Sequence, residues 1–340
     1  MLGLPPLPRT LEAALRDVTS KKADIRAEAI RDLVRYSDDS RAQVIRAIEG
    51  GLRDADPRVR GLAAMALSDI GAKETLPALL VAVEDEDAYV RQMAISALGE
   101  IGDARAGERL RRALGDPRPE VRFQAVMAFP RVTARKEDAL EAVLAAMEDR
   151  DALVAHVALR MAEELAGDED PDPRTTSLAK KLLAHDAASV RLAAAILLAR
   201  TGDLSGKEIL AKAATGDLAT AEGEDEAAAI ELCGELDLKE TTRGLRRRAF
   251  GGLLGLGRDR FQWHARVALA RMGDERAIRE IVAELGAWDH GKRTLAVAAA
   301  GRARITSARD AIRAMRDAPE KADPGAVEEA LRALDEEPRE

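Results

Sequence analysis

Apolar residues recur along this chain at helical spacing, and the whole pattern repeats. Between residues 59 and 70 they stand three or four positions apart, so they share one face of an α-helix. They are Val59, Ala63, Ala66, Leu67 and Ile70. The valine returns as Val90 and Val121, a step of 31 residues each time. A fixed period of this length predicts a solenoid of stacked repeats, whereas the period-2 alternation of strands is not found over a useful length.

Ten units can be aligned on the residue that corresponds to Val59. The helices that carry this residue, here called second helices, begin near Ile25, Val59, Val90, Val121, Val154, Val190, Asp225, Phe261, Lys292 and Ala326. A first helix precedes each second helix, and a turn rich in Asp or Pro joins them. Two acidic stretches, 167–177 and 215–226, are predicted to be surface loops. The helices at 11–18 and 324–334 are predicted to cap the ends.

The second helices share the pattern V-R-x-x-A-x-x-A-L and stop at Gly-Asp, as at Gly102-Asp103. This pattern resembles HEAT repeats, in particular the short bacterial PBS-lyase HEAT-like type. The resemblance implies an all-α fold, a right-handed α-α superhelix of about ten helix pairs whose second helices line the concave face. We predict a single solenoid over residues 1–340. Its repeats are regular over about 20–217 and divergent and basic over about 218–336.

The register of the repeat also predicts which residues are structural. Cys233 and Phe129 fall at core positions of their second helices. In four units, an arginine follows the aligned residue and an aspartate also ends the preceding first helix. These residues are Arg60, Arg91, Arg122 and Arg191, with Asp54, Asp85, Asp116 and Asp186. We predict a ladder of Arg–Asp contacts that joins neighbouring repeats, in preference to a row of substrate-binding arginines.

No constellation in the sequence favours catalysis or a cofactor. One cysteine excludes an internal disulfide and a cysteine-based zinc site. The four histidines lie in different units, and the His-Glu dipeptides of the HEAT-like deoxyhypusine hydroxylases are absent, so no metal site is predicted. The glycine-rich run 250–258 lacks the G-K-[ST] of a phosphate loop and is interpreted as a helix end and turn. The protein is therefore predicted not to be an enzyme.

The pattern of apolar runs bears on localisation. The longest run, 192–199, is far shorter than the ~20 residues that cross a bilayer, and residues 1–10 lack the apolar core of a signal peptide. We predict a soluble, cytoplasmic protein without membrane insertion. The abundance of Ala and Arg is typical of GC-rich bacterial genomes.

A candidate partner-binding surface follows from the residues beside the core stripe. Aromatic residues are only 2% of the chain, yet several fall near one column of the second helices. The candidate protein-binding residues are Tyr89, Gln92, Phe123, Met127, His156 and Trp263. Aromatic and Met side chains suit a groove that binds a helix or an extended peptide. The alternative is that they fill gaps between adjacent helices, and the sequence leaves both open.

Charge is distributed unevenly along the chain. Residues 239–313 contain 17 Lys and Arg against 8 Asp and Glu, although the whole chain has a net charge of −8. This block could bind an anion through Arg243, Arg246, Arg247 and Arg248, or it could balance the acidic remainder. Nucleic acid is thus a possible but less favoured partner. HEAT-like alkylpurine DNA glycosylases share a basic face, but the motif and the pI of 5.4 do not match them.

Three hypotheses about function result. The leading one is a non-enzymatic scaffold or adaptor that binds a partner protein or peptide on its concave face. The second is a phycobilin-lyase-like enzyme subunit, which the repeat type alone implies. The third is binding of nucleic acid or another anion by the basic block. The identity of the partner is outside what the sequence contains.

Overall fold

A computed structural model describes residues 9–167, 169–218, 223–251 and 259–335 of the chain. Every regular element in these ranges is helical. The residues group into two compact units, Met1–Thr175 and Thr176–Glu340, which are here called the N-terminal and C-terminal units. This confirms the all-α fold class. Continuity of one solenoid over residues 1–340 stays a prediction.

The N-terminal unit consists of short helices joined by tight turns. The helices are α1 (Leu11–Asp17), α2 (Ala23–Leu33), α3 (Arg41–Gly51), α4 (Pro57–Asp69), α5 (Leu76–Ala82), α6 (Ala88–Ile101), α7 (Gly107–Ala113), α8 (Pro119–Val132), α9 (Lys136–Met147) and α10 (Ala152–Ala166). The next helix, α11 (Pro173–Leu182), begins in this unit and ends in the other.

The ends of the second helices follow from local sequence. Asp87 caps α6 by accepting hydrogen bonds from the backbone N–H groups of Tyr89 and Val90. Pro57 is the first residue of α4, where its missing N–H costs nothing. Gly102 ends α6 in the left-handed conformation, with φ of 68°. In α6 the aspartate before the helix and the glycine after it therefore set where the helix begins and ends.

The N-terminal unit has two layers of helices. The second helices α2, α4, α6, α8 and α10 pack side by side in chain order, and the first helices α3, α5, α7 and α9 pack against them. Val59, Val90 and Val121 are buried between the layers, as the apolar pattern predicts. Adjacent second helices approach closely: a Cβ atom added at Gly99 would lie 2.7 Å from the Cβ atom of Ala128.

The C-terminal unit repeats this arrangement with less regular helices. They are α12 (Ala188–Arg200), α13 (Lys207–Thr215), α14 (Gly223–Glu235), α15 (Thr242–Phe250), α16 (Gln262–Arg271), α17 (Glu275–Glu284), α18 (His290–Arg302), α19 (Arg309–Arg313) and α20 (Pro324–Asp335). The second helices α12, α14, α16, α18 and α20 again pack in chain order. Gly234 lies so close to Ala268 that an added Cβ would be 2.5 Å from its Cα atom.

All ten predicted second helices are present, but the two predicted loops are too long. Residues 173–177 form the start of α11, and residues 223–226 form the first turn of α14. Pro173 is well suited to the first position of α11. In α14 the acids Glu224, Asp225 and Glu226 lie in the first turn, where the helix dipole favours negative charge. Of the glycine-rich run 250–258, residues 252–258 lie outside the described part of the chain.

Candidate protein-binding face

The predicted Arg–Asp ladder supports the second helices of the N-terminal unit. Arg60 donates two hydrogen bonds of 2.8 Å, from Nε and Nη2, to the carboxylate of Asp85 in the following repeat. Its Nη1 donates to the carbonyl oxygen of Asp54 in its own repeat, at 2.9 Å. Each guanidinium thus joins two repeats through charge-assisted bonds. The rungs of this kind are Arg26–Asp54, Arg60–Asp85, Arg91–Asp116 and Arg122–Asp149.

The ladder confirms the structural interpretation of these arginines and refines its partners. The carboxylate comes from the next repeat, so Arg122 pairs with Asp149. In the C-terminal unit, Arg191 donates instead to the carbonyl oxygens of His185 and Asp186, both at 2.7 Å. The sequence did not show this because one arginine and one aspartate per repeat are compatible with either direction of pairing.

The solvent-facing side of these second helices carries neighbouring apolar side chains. We define the apolar face as Leu62, Met65, Tyr89, Met93, Phe123, Met127 and Leu153, on α4, α6, α8 and α10. Met65, Tyr89 and Leu153 are exposed, at 41%, 39% and 59%, and the other four are half-buried. Exposed apolar residues that adjoin one another, rather than stand singly, are typical of interaction sites.

Tyr89 owes its position to a glycine on the neighbouring helix. A Cβ atom at Gly61 would lie 2.3 Å from the Cε1 atom of Tyr89, so the ring lies directly over the backbone of α4. The phenol ring is thereby held across the boundary between α4 and α6. A rigid, partly exposed aromatic ring loses little conformational entropy when a partner covers it. Gly61 is therefore part of the site although it has no side chain.

Two predicted residues of the N-terminal unit, Gln92 and His156, lie beside this face, whereas Phe123 and Met127 belong to it. Gln92, Phe123 and His156 occupy the same repeat position on α6, α8 and α10, and all three are half-buried. Phe123 and Met127 lie one turn apart on α8. The structure thus places the predicted residues of this unit on one side of adjacent helices, but their role in binding stays a prediction.

Trp263 belongs to the C-terminal unit, where it packs against neighbouring side chains. It is half-buried against the core of that unit. The guanidinium of Arg266 lies 5.2 Å from the centre of its ring, within the range of a cation–π contact. These contacts are compatible with the alternative interpretation, in which Trp263 fills a gap between helices, and its role in binding stays a prediction.

The four arginines predicted to bind an anion have different environments on α15. Arg248 is buried and bonds the carboxylates of Glu226 and Asp259, so its charge is already neutralised. Arg246 pairs with Asp274 at 2.6 Å, and Arg247 donates to the carbonyl oxygen of Thr215. Arg243 is exposed.

An open pocket of about 250 Å³ lies between α2 and α4, beside the apolar face. Its apolar wall is formed by Ala23, Ala27, Val59 and Leu62. Its charged rim is formed by Asp24, Glu28, Arg31 and Arg58. Because Leu62 belongs to both, the pocket extends the apolar face towards the start of the chain.

Sequence reasoning missed part of this site. Leu62 and Leu153 were not singled out, although Leu62 stands one position after a predicted column and Leu153 stands at the same repeat position as Tyr89. The available signal was the repeat register, because the residues before and after the column also face solvent on an amphipathic helix. The contact of Tyr89 with Gly61 could not be read from sequence, since it depends on how closely two helices approach.

The described residues contain few groups suited to binding a metal or to nucleophilic catalysis. No cluster of three or more His, Cys, Asp or Glu with the arrangement of a metal site occurs among the residues that the structure describes. Burial raises the pKa of the Cys233 thiol to about 12, which disfavours the reactive thiolate. Within the same residues, no helix has the length and apolar character to cross a membrane.

Comparison with known proteins finds a matching repeat family over part of the chain. Residues 8–84 and 77–162 match the family model described as HEAT repeats. The solved structure of YibA from E. coli aligns with a TM-score of 0.56 at 16% identity, covering 77% of this chain and 92% of that chain. The likeness bears on the fold alone. No curated protein matches the chain.

A second solved structure is similar over a comparable length. It is the complex of CpcE and CpcF of phycocyanin lyase from Nostoc sp. PCC7120. The identity is 24%, the TM-score is 0.44, and the alignment covers 72% of this chain and 96% of that chain. This similarity carries no argument about activity.

Proposed function

We propose that this HEAT-repeat protein is a non-enzymatic scaffold that binds a segment of a partner protein on the apolar face of its N-terminal unit. The observation that carries the proposal is that apolar side chains recur on the exposed side of four successive second helices, with Met65, Tyr89 and Leu153 exposed and Phe123 and Met127 half-buried. Aromatic and Met side chains are enriched at the centres of protein interfaces. Repeat arrays use their extended surfaces for this purpose.

The ladder under the apolar face favours a preformed binding surface. Arg60 and Arg91 hold successive helices in register through bonds of 2.8–2.9 Å. A surface that is ordered before binding loses less entropy on association, so a few anchors can supply most of the affinity. Tyr89 and Phe123 are the proposed anchors. The HEAT resemblance assigns these second helices to the concave side, and that assignment is part of the proposal.

The two alternative functions receive less support. The phycobilin-lyase alternative depends on the repeat type, and no observation on the described residues adds to it. For the anion-binding alternative, Arg248 is unsuitable because it already bonds two carboxylates, Glu226 and Asp259. Arg243, Arg246 and Arg247 remain candidates for a weak electrostatic contact, which would weaken steeply with added salt.

The proposal is tested by capturing partners from an extract of the source organism and quantifying them by mass spectrometry. We expect the double variant Tyr89→Ala/Phe123→Ala to lose partners that the wild-type protein enriches, by about tenfold or more, because two anchors are removed. Val81→Ala is the matched control. Val81 is 72% exposed but lies on α5, in the layer of first helices.

Stability measurements accompany the capture experiment. The double variant should keep its helical circular dichroism, because Tyr89 is partly exposed and Phe123 half-buried. Retention of every enriched partner by a folded double variant would contradict the proposal. Equal loss with Val81→Ala would show that the other layer of helices binds the partner.

A further inference from the structure

The methionines of the chain fall into two classes by exposure. The chain has 8 methionines, of which the structure describes all but Met1. Four of the described ones are buried, namely Met147, Met161, Met272 and Met315. The others belong to the apolar face, where Met65 is exposed and Met93 and Met127 are half-buried. The accessible methionines of the described residues therefore all lie on the face that we propose as the binding surface.

These three side chains stand on three successive second helices. Met65 and Met127 come six residues after the aligned valine, on α4 and α8, and Met93 comes three residues after it, on α6. Positions three residues apart lie on the same side of a helix, one turn from each other. Because α4, α6 and α8 pack side by side, the three thioethers are spread over the apolar face rather than confined to one repeat.

A thioether that solvent reaches can be oxidised by a peroxide in one two-electron step. The sulfur lone pair attacks one oxygen of hydrogen peroxide, an S–O bond forms as the O–O bond breaks, and the second oxygen leaves as water. The sulfur is oxidised to a sulfoxide and the peroxide is reduced. Methionine sulfoxide reductases reverse the change. In that step the sulfoxide oxygen leaves as water while a dithiol is oxidised to a disulfide.

The single cysteine does not compete for the oxidant. Cys233 is buried in the core of the C-terminal unit. Burial raises the pKa of its thiol to about 12, so the reactive thiolate is scarce at neutral pH. Oxidation of a cysteine follows its thiolate character and its exposure, and both are low here. The sulfur atoms most open to a peroxide within the described residues are therefore those of the apolar face.

Oxidation would change the apolar face and leave the core intact. The sulfoxide of exposed Met65 is hydrated in the free protein, whereas a partner that covers it removes that water. Burying a polar group without a hydrogen bond costs free energy, so the cost falls on the bound state. The buried methionines keep their thioethers, and the helices that they support stay packed.

We propose that Met65, Met93 and Met127 form a reversible oxidation site, at which conversion to sulfoxides by a peroxide releases the partner from the apolar face. This inference rests on the proposed function, because it concerns the same surface. It adds a modification and a mode of regulation.

Mass spectrometry of digested protein tests the selectivity of the oxidation. The full-length protein is treated with hydrogen peroxide, the peroxide is removed, and the sulfoxide at each methionine is quantified over time. We expect Met65 to react first, followed by Met93 and Met127. The four buried methionines should react about tenfold more slowly or less, since the oxidant reaches them only when the structure opens. Equal rates for all of them in a protein that keeps its helical circular dichroism would overturn the inference.

Retention on a phenyl column measures the apolar character of the surface without a partner. The oxidised wild-type protein should elute earlier than the untreated protein. The triple variant Met65→Leu/Met93→Leu/Met127→Leu keeps apolar side chains of similar volume but has no sulfur on the face. Its retention should be the same before and after peroxide. Unchanged retention of the oxidised wild-type protein would overturn the inference.

Capture from an extract of the source organism tests the effect on binding. We expect peroxide treatment of the wild-type protein to reduce the partners that need Tyr89 and Phe123 by about tenfold, because several apolar groups of the face become polar. Treatment with methionine sulfoxide reductases and dithiothreitol should restore them. The triple leucine variant should capture the same partners whether or not it has met peroxide.

A polar substitution separates the polarity of the face from other effects of peroxide. Met65→Gln places an amide on the apolar face without any oxidant, so it should reduce capture by about threefold or more. Val81→Gln is the matched control, since Val81 is exposed on α5 in the layer of first helices and should leave capture unchanged. Full capture by Met65→Gln would contradict the inference.

The outcomes separate the inference from the proposed function. Selective oxidation that leaves capture unchanged would overturn the inference while the binding face stands. Loss of capture by the peroxide-treated triple leucine variant would assign the effect to other residues and would also overturn the inference. Failure of the untreated wild-type protein to enrich any partner that needs Tyr89 and Phe123 would overturn the proposed function and the inference together.

Discussion

The two units use the same repeat, but α14 of the C-terminal unit differs from α4 and α8 of the N-terminal unit at one repeat position. Met65 and Met127 belong to the apolar face of the N-terminal unit. Glu231 stands at the corresponding repeat position in the C-terminal unit, where it is hydrogen-bonded to His264 at 2.8 Å and to Arg302 at 3.0 Å. Contact with His264 lowers the pKa of Glu231. Charged groups that already satisfy one another offer little to an apolar partner.

The units also differ in how the arginine after the aligned residue is used. In the N-terminal unit Arg60 bonds a carboxylate of the next repeat. In the C-terminal unit Arg293 stands at the same position, but it bonds the carbonyl oxygens of Glu320 and Lys321. The comparison teaches that the core stripe defines the fold, while the residues around it decide whether a repeat is joined by charge pairs and whether it presents an apolar surface.

The largest expected effect tests the close packing of adjacent second helices, which both units share. Gly99→Val should lower the free energy of unfolding by about 3 kcal/mol, because the new side chain meets the Cβ and Cα atoms of Ala128 at 2.7 and 3.1 Å. Gly234→Val should cost the C-terminal unit a similar amount. Urea unfolding followed by circular dichroism measures both. Gly50→Ala is the control, since no atom lies within 4 Å of the added Cβ.

Gly50→Ala should be neutral or slightly stabilising, because alanine is the better helix former. If Gly99→Val unfolds at the same urea concentration as Gly50→Ala, close packing of second helices is not what holds the N-terminal unit together.

A smaller effect distinguishes the two uses of the arginine. Arg60→Met should cost about 2 kcal/mol, because the partly buried carboxylate of Asp85 is left without its partner. Arg293→Met leaves only carbonyl oxygens without a partner. These are neutral and can accept hydrogen bonds from water, so we expect about half the loss in free energy of unfolding. Thermal unfolding of the two variants makes the comparison.

The double variant Arg60→Met/Asp85→Asn sharpens this test. The backbone N–H of Asp87 donates a hydrogen bond of 2.9 Å to the carboxylate of Asp85. Asparagine keeps an oxygen that can accept this bond but carries no charge. We therefore expect the double variant to recover part of the stability lost by Arg60→Met. A double variant that is less stable than the single variant would show that the lost charge is not the source of the destabilisation.

The smallest effect is a difference in pH dependence. The hydrogen bond from Arg26 is the main cause that holds the pKa of Asp54 below its usual value of 3.8. A carboxylate with a lowered pKa in the folded state contributes stability that is fully present above its usual pKa. That contribution is lost as the pH falls through the lower pKa of the folded state. Arg26→Met should therefore destabilise the protein at pH 7 and have little effect near pH 2.

Arg293→Met provides the contrast for this measurement. Its carbonyl partners do not titrate, so its cost in free energy of unfolding should be similar at both pH values. Urea unfolding of both variants and the wild-type protein at pH 7, 4 and 2 provides the data. An Arg26→Met effect that persists unchanged at pH 2 would contradict the assignment of a charged rung to Asp54.

The sequence predicted the fold well because the same apolar pattern recurs in many repeats. Val59, Val90 and Val121 mark the same position in three repeats, so a wrong alignment of one repeat is revealed by its neighbours. The binding face was predicted less completely because it consists of the residues that change between copies. The role of Gly61 depends on the distance between two helices. The burial of Arg248 depends on the positions that Glu226 and Asp259 take in the folded protein. Neither can be predicted from the spacing of residues along the chain.

The ladder makes the stack of repeats directional. In the N-terminal unit each rung runs from an arginine to an aspartate in the next repeat, so a repeat joined by the ladder offers a donor towards one end and an acceptor towards the other. A whole repeat could therefore be inserted or deleted by gene duplication without leaving a charge unpaired. At the start of the chain, Arg9 bonds Asp17, Glu28 and Asp32 of the first repeat. The number of repeats joined by the ladder can thus evolve separately from the surface that they display.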